Sequence, residues 1–225
     1  MRKIILTILI LVVLGFGLYW SIEVYRFVEG VREDTPKFVE SLHKNVVQNG
    51  DIIFQTSKSS QSKAIQLATN SKYSHMGIIY NIDGQLFVYE AAQPVKLTPL
   101  NEWINHGKDG KYVIKRLKNA GNILTQKTLM KMKQVGEKYK GKDYDLYFEW
   151  SDDKIYCSEL VWKIYKKGAN IEIGKLEELS DFDLNNRIVK NKLKERYGDN
   201  IPLKEKVISP AAMFNSDKLK IILKN

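Results

Sequence analysis

The sequence predicts an α+β fold: an antiparallel sheet packed on a short helix that starts at the protein's single cysteine. Three observations predict it. Asp83-Gly84 separates two apolar runs, Ser74–Ile82 and Gln85–Ala91, a strong signal for a two-residue hairpin. From Cys157 onward, Leu160, Val161 and Ile164 recur on one helical face, with Cys157 one turn earlier on that face. Further short runs at Asp51–Gln55, Val95–Leu97 and Lys111–Leu117 read as additional strands.

Composition narrows the function classes. The chain has 225 residues, enough for one principal domain with its own core. One cysteine excludes an intramolecular disulfide framework and any zinc site built on several thiolates. The three histidines, His43, His75 and His106, are scattered and show no metal-ligand spacing. The net charge of +10 does not read as nucleic-acid binding: most of the 36 basic residues are dispersed lysines on solvated helix faces, without a recognition module. A basic exterior suits anionic surroundings such as lipid headgroups or cell-wall polymers.

In chain order, Arg2 and Lys3 precede an apolar run from Ile4 to Trp20. Residues 1–21 are expected to be a signal anchor or a signal peptide. The basic end then lies in the cytoplasm and the domain outside. The protein is expected to be exported. It is membrane-anchored facing the periplasm or cell exterior, or periplasmic or secreted if the segment is cleaved. Residues 22–48 carry apolar residues at helical intervals, interrupted by Pro36, and read as a helical stalk. The domain proper is placed at 49–225. Asp51, at a strand start after Gly50, is read as capping or orienting a turn. Ser62–Thr69 is a short helix. Thr98 is read as a cap, with Pro99 opening a short helix. Thr125–Tyr139 is helical. Tyr144–Asp153 is an aromatic and acidic loop leading into Cys157, and Gly168 is placed at the end of the Cys157 helix. Asp181–Tyr197 is a final amphipathic helix, and the remainder a tail.

The hairpin sets a register. With Asp83-Gly84 as the turn, Ile82 opposes Gln85, Tyr80 opposes Phe87, and Gly77 opposes Glu90. His75, Gly77, Val88 and Glu90 then share one face, and His75 and Glu90 are diagonal neighbours. Gly77 is expected to leave room for the imidazole. A thiol hydrolase needs a nucleophile, a base, and a group that fixes the base's tautomer. Cys157 at a helix start, His75 on a strand and Glu90 beside it supply these. Backbone N–H groups at Cys157 and Ser158, with the Tyr156 hydroxyl as a further candidate donor, are placed to hold an oxyanion. Tyr144 and Asp145 are candidate lining residues of a substrate groove.

Gly50-Asp-Ile-Ile-Phe54, Ser74-His-Met-Gly-Ile78, Val88-Tyr-Glu-Ala91 and Tyr156-Cys-Ser-Glu-Leu-Val161 occur in an order that resembles the YiiX-like cysteine hydrolases. These are circularly permuted relatives of the NlpC-type cell-wall endopeptidases. The resemblance runs from about Gly50 to Pro210. It implies a permuted papain-like fold, Cys157 as nucleophile, His75 as base, Glu90 as the third polar residue, and no metal or organic cofactor. The expected reaction is hydrolysis of an amide, most simply a peptide bond, of an envelope substrate through an acyl-thioenzyme. The alternatives are a lipid-directed acyl hydrolase or acyltransferase on the same triad, and a non-catalytic envelope binding module.

Overall fold

The computed structural model describes residues 46–225. The segment 1–45, with the anchor and most of the stalk expected above, lies outside the described residues. Among the described residues no helix is long and apolar enough to cross a membrane.

The described residues build a six-stranded antiparallel sheet with helices on both faces. The strands are β1 (Ile52–Ser57), β2 (His75–Ile82), β3 (Gln85–Ala91), β4 (Val95–Pro99), β5 (Gly107–Leu117) and β8 (Leu219–Lys224), in the order β4-β3-β2-β1-β5-β8. A two-stranded ribbon pairs β6 (Glu177–Glu178) with β7 (Lys206–Val207). The helices are α1 (Ser62–Ala68), α2 (Leu100–Asn105), α3 (Ala120–Ile123), α4 (Gln126–Glu137), α5 (Cys157–Ile164), α6 (Arg187–Tyr197) and α7 (Pro210–Phe214).

The strands alternate as a sheet buried on both faces requires. Ile52, Phe54, Met76, Ile78 and Tyr89 face the larger core, where Leu160, Val161 and Ile164 of α5 cover them. Ile53, Ile79, Val88 and Ile114 point to the other face, under Leu100 and Trp103 of α2. The Cys157 helix therefore packs on the sheet as expected. Its start at Cys157 is 3% exposed.

The hairpin register is the one the turn specifies: Ile82 faces Gln85 and Tyr80 faces Phe87. Asp83 (φ 50°) and Gly84 (φ 84°) both adopt the left-handed backbone that a type I′ turn needs. Gly77 is required for a reason other than the one expected. A Cβ there would lie 2.4 Å from Val88 Cγ1 and 2.8 Å from the Tyr89 carbonyl, so the space belongs to β3 rather than to the imidazole.

Other boundaries also move. Thr98 does not cap a helix; it lies in β4, and Pro99 is the N-cap of α2. Gly168 does not end the Cys157 helix. The helix runs on as a π turn, Tyr165–Ala169, and stops at Asn170 in the left-handed region (φ 56°). Gly168 instead lets this turn approach α4, since a Cβ there would sit 2.6 Å from Met132 Cγ. The final helix begins at Arg187, capped by the Asn186 side chain, and a separate 3-10 turn occupies Leu179–Asp181. The tail carries α7 and closes one edge of the sheet with β8. Asp51 orients the turn before β1, accepting from Gln48 N at 2.8 Å, and it also pairs with Arg116 through two 2.7 Å contacts.

Candidate active site

Cys157 is the first residue of α5. Its N-cap, Tyr156, has extended backbone and makes no side-chain cap bond, so the first-turn N–H groups meet no capping side chain. Those groups carry the positive end of the helix dipole beside the sulfur. The helix start is held from outside the helix. Ser158 Oγ donates to the Ile208 carbonyl at 2.7 Å, and Ile208 N donates to the Tyr156 hydroxyl at 3.1 Å. Tyr156 is 1% exposed, and its phenol oxygen is occupied by that backbone N–H. The hydroxyl thus anchors Ile208 and fixes the ring beside the helix start.

His75 opens β2, and its ring meets two partners. Nε2 bonds Glu90 Oε2 at 2.5 Å, which leaves Nδ1 for Cys157, the other group that acts on the ring's protonation. Burial alone would disfavour an imidazolium. The hydrogen bonds and charges of Cys157 and Glu90 outweigh it and raise the His75 pKa to about 10.

Glu90 is itself tied down. Thr98 Oγ1 donates to Oε1 at 2.6 Å and Trp103 Nε1 donates to Oε2 at 2.9 Å. Burial opposes the charge, yet the bonds from His75, Thr98 and Trp103 hold this carboxyl below its ordinary range. The Trp103 ring also stacks on the imidazole at 5.8 Å between centroids, inclined by 24°. Thr98 and Trp103 escaped the sequence reading. The signal available was position: Thr98 pairs with Val88 across β3–β4, on Glu90's face.

The two groove candidates separate. Tyr144 lines a cleft with Cys157, and its hydroxyl accepts from Gln61 Nε2 at 3.0 Å. Burial first, and then the electrostatic influence of Cys157, raise its pKa well above that of a free phenol. Asp145 turns the other way, 2% exposed, and accepts from Tyr147 N at 2.8 Å and Glu149 N at 2.6 Å. It shapes the loop.

Two cavities meet at Gln61 and Tyr144, and Cys157 lines the first of them. One, of about 90 Å³, runs under α1 and α6 and is lined by Ala64, Ile65, Phe182, Val189 and Leu193 among others. The second, of about 710 Å³, lies on the His75 side, with Gln55, Ser57, Ser59, Gln93 and Lys96 among the residues on its walls. Gln61 and Tyr144 border both. Among the described residues, no group of three or more His, Cys, Asp or Glu side chains is placed to hold a metal ion.

A sheet that presents histidine and carboxylate to a thiol at a helix start defines a papain-like arrangement, here with the cysteine last in the chain. The chain belongs to the permuted papain-like amidases of the YaeF/YiiX, C92 family, whose model matches residues 46–223. It is 49% identical over 177 residues to YiiX of Escherichia coli (strain K12), covering 79% of this chain and 86% of that one. A crystal structure of YiiX from E. coli O157:H7, described as a metalloprotein, superposes with a TM-score of 0.75 at 50% identity, over 79% of this chain and 97% of that one.

Proposed function

We propose that the protein is a cysteine amidase that cleaves an amide of a cell-envelope substrate through an acyl-thioenzyme. The observation that carries this reading is the chain of contacts from Cys157 to His75 to Glu90, with Thr98 and Trp103 fixing the carboxylate. His75 takes the thiol proton, and the sulfur attacks the carbonyl carbon. The oxyanion that forms faces the N–H groups of Cys157 and Ser158, each such donor worth about 2.7–4 kcal/mol in comparable sites. As the intermediate collapses, His75 gives its proton to the departing amine. Water, deprotonated by His75, then hydrolyses the thioester and restores the thiol. Glu90 orients the ring and balances its charge without taking the proton.

The cavities favour a division of the substrate. The leaving amine takes its proton from His75 and so departs on the His75 side, into the wider cleft; the acyl part then lies across Cys157, in the narrow apolar cavity. That cavity favours an apolar acyl group and gives the lipid-directed reading a specific support that the peptide reading lacks. The envelope setting rests on Arg2-Lys3 ahead of Ile4–Trp20. The test is to incubate the protein with cell-wall peptides and with N-acylated amine lipids and to follow amine release. Release from either that vanishes in Cys157→Ser supports the amidase. Release that survives Cys157→Ser refutes it, and the better substrate decides between peptide and lipid.

A further inference from the structure

We propose that Arg196 and Gln61 are positioning residues that fix the Tyr144 hydroxyl as a proton donor to the Cys157 sulfur and to the oxyanion formed when it attacks. The inference rests on the reading of Cys157 as nucleophile.

The direction of every hydrogen bond in this row is determined. A guanidinium only donates. Arg196 Nη2 lies 2.6 Å from Gln61 Oε1, so the amide oxygen of Gln61 must face Arg196. Its amide nitrogen therefore faces the other way and donates to the Tyr144 oxygen at 3.0 Å. With that oxygen accepting from Gln61, the phenolic proton is free to point into the cavity whose wall Tyr144 shares with Cys157. The row is rigid at both ends. Tyr144 N donates to Gln93 Oε1 at 2.7 Å, and Tyr144 bridges to Ile155, two residues before Cys157. The Arg196 guanidinium lies 5.0 Å from the Phe148 ring. Gln61 is the N-cap residue of α1, Arg196 sits in the last turn of α6, and these helices pack together. Tyr144 and Gln61 also border both cavities, where a scissile bond would cross from one to the other.

Two electrophiles separate this role from a structural one. Iodoacetamide alkylates the thiolate by displacing iodide and forms no oxyanion. p-Nitrophenyl acetate acylates it through a tetrahedral oxyanion and releases nitrophenolate. With the full-length protein in detergent, Tyr144→Phe should slow acylation by about 10²–10³, as loss of an oxyanion donor does. Alkylation should stay within roughly tenfold of wild type, since only the bond to the thiolate is lost. Gln61→Glu should act alike, because a carboxylate paired with Arg196 accepts the Tyr144 proton and turns it from the sulfur. The double variant should be no slower than Tyr144→Phe alone. Arg196→Met should lower acylation selectively, with part of it returned in Arg196→Lys. Wild-type acylation by Gln61→Glu, or equal losses with both reagents across the set, overturns the proposal. If neither reagent labels Cys157 in the wild type, the nucleophile reading fails first and takes this inference with it.

Discussion

At the residue scale the site is a matter of where one proton and one negative charge are held. Glu90 meets His75, Thr98 and Trp103, and of these only His75 faces Glu90 with a titrating group. Replacing Glu90 by Gln keeps the size and most hydrogen bonds but removes the charge that holds the imidazolium. Turnover should fall by about two or more orders of magnitude, with slower alkylation of Cys157 at neutral pH and an unchanged circular dichroism spectrum. Wild-type values for both rates would make Glu90 a bystander. Protonation also enters stability. The folded His75 binds its proton more tightly than the unfolded chain, whose value lies near 6.5, so its contribution is full below that pH and is lost as pH rises through about 10. Glu90 is shifted the opposite way, so its contribution is present above the ordinary carboxylate range and lost in acid. Melting temperature should therefore decline between about pH 6.5 and 10 in the wild type and decline less in His75→Gln. An equal slope in both would contradict the assignment. The Cys, His and Glu were all legible in the sequence, because each sits at a place that local pattern defines: a helix start, a strand start, a strand end. Trp103, Thr98, Gln61 and Arg196 were not, because each reaches the site from an element whose placement only the folded chain determines. Nothing near Tyr156 in sequence reveals that Ile208 N, from a distant segment, donates to its oxygen.

At the scale of elements, the hairpin and the nucleophile helix do the positioning. Asp83-Gly84 was the most legible feature, since few other dipeptides adopt the two positive φ values found there. Adding one residue to that turn should shift the β2–β3 register and move Glu90 to the far face, abolishing turnover. Gly77→Ala puts a methyl into Val88 and the Tyr89 carbonyl, where backbone cannot give way cheaply. A loss of about 1–3 kcal/mol in a denaturant melt, with a fall in activity, is expected. A variant as stable and as active as wild type would show that the strands separate freely. The α5 start is clamped to Ile208 by Ser158, while Lys163, one turn on, gathers Glu159 and Asp152 at 2.7 Å each. Burial raises the Glu159 carboxyl to about 8 despite Lys163. The boundaries of α2, α5 and α6 were the illegible part. Thr98 and Gly168 carry residue types that signal helix ends, but packing against Glu90 and Met132 claims them instead.

At the scale of the molecule, the permuted order brings the chain's last helices over the site. α6 and α7 close the apolar cavity beside Cys157, so that wall of the site is built by a segment that reads in sequence as a plain helix and a tail. If Ile4–Trp20 anchors the chain with its basic end inside, protease added to spheroplasts should digest the domain. Protection in intact spheroplasts would refute that topology, and a soluble form lacking the first 20 or so residues would favour cleavage. The central claim is that Cys157 carries the acyl group, driven by His75. Its most direct test is acid-quenched mass spectrometry after brief exposure to p-nitrophenyl acetate, comparing wild type with His75→Ala and Cys157→Ser. The account predicts an acetyl increment on the peptide holding Cys157 in the wild type, strongly reduced in His75→Ala and absent in Cys157→Ser. An increment on another residue, or equal labelling without His75, would contradict it.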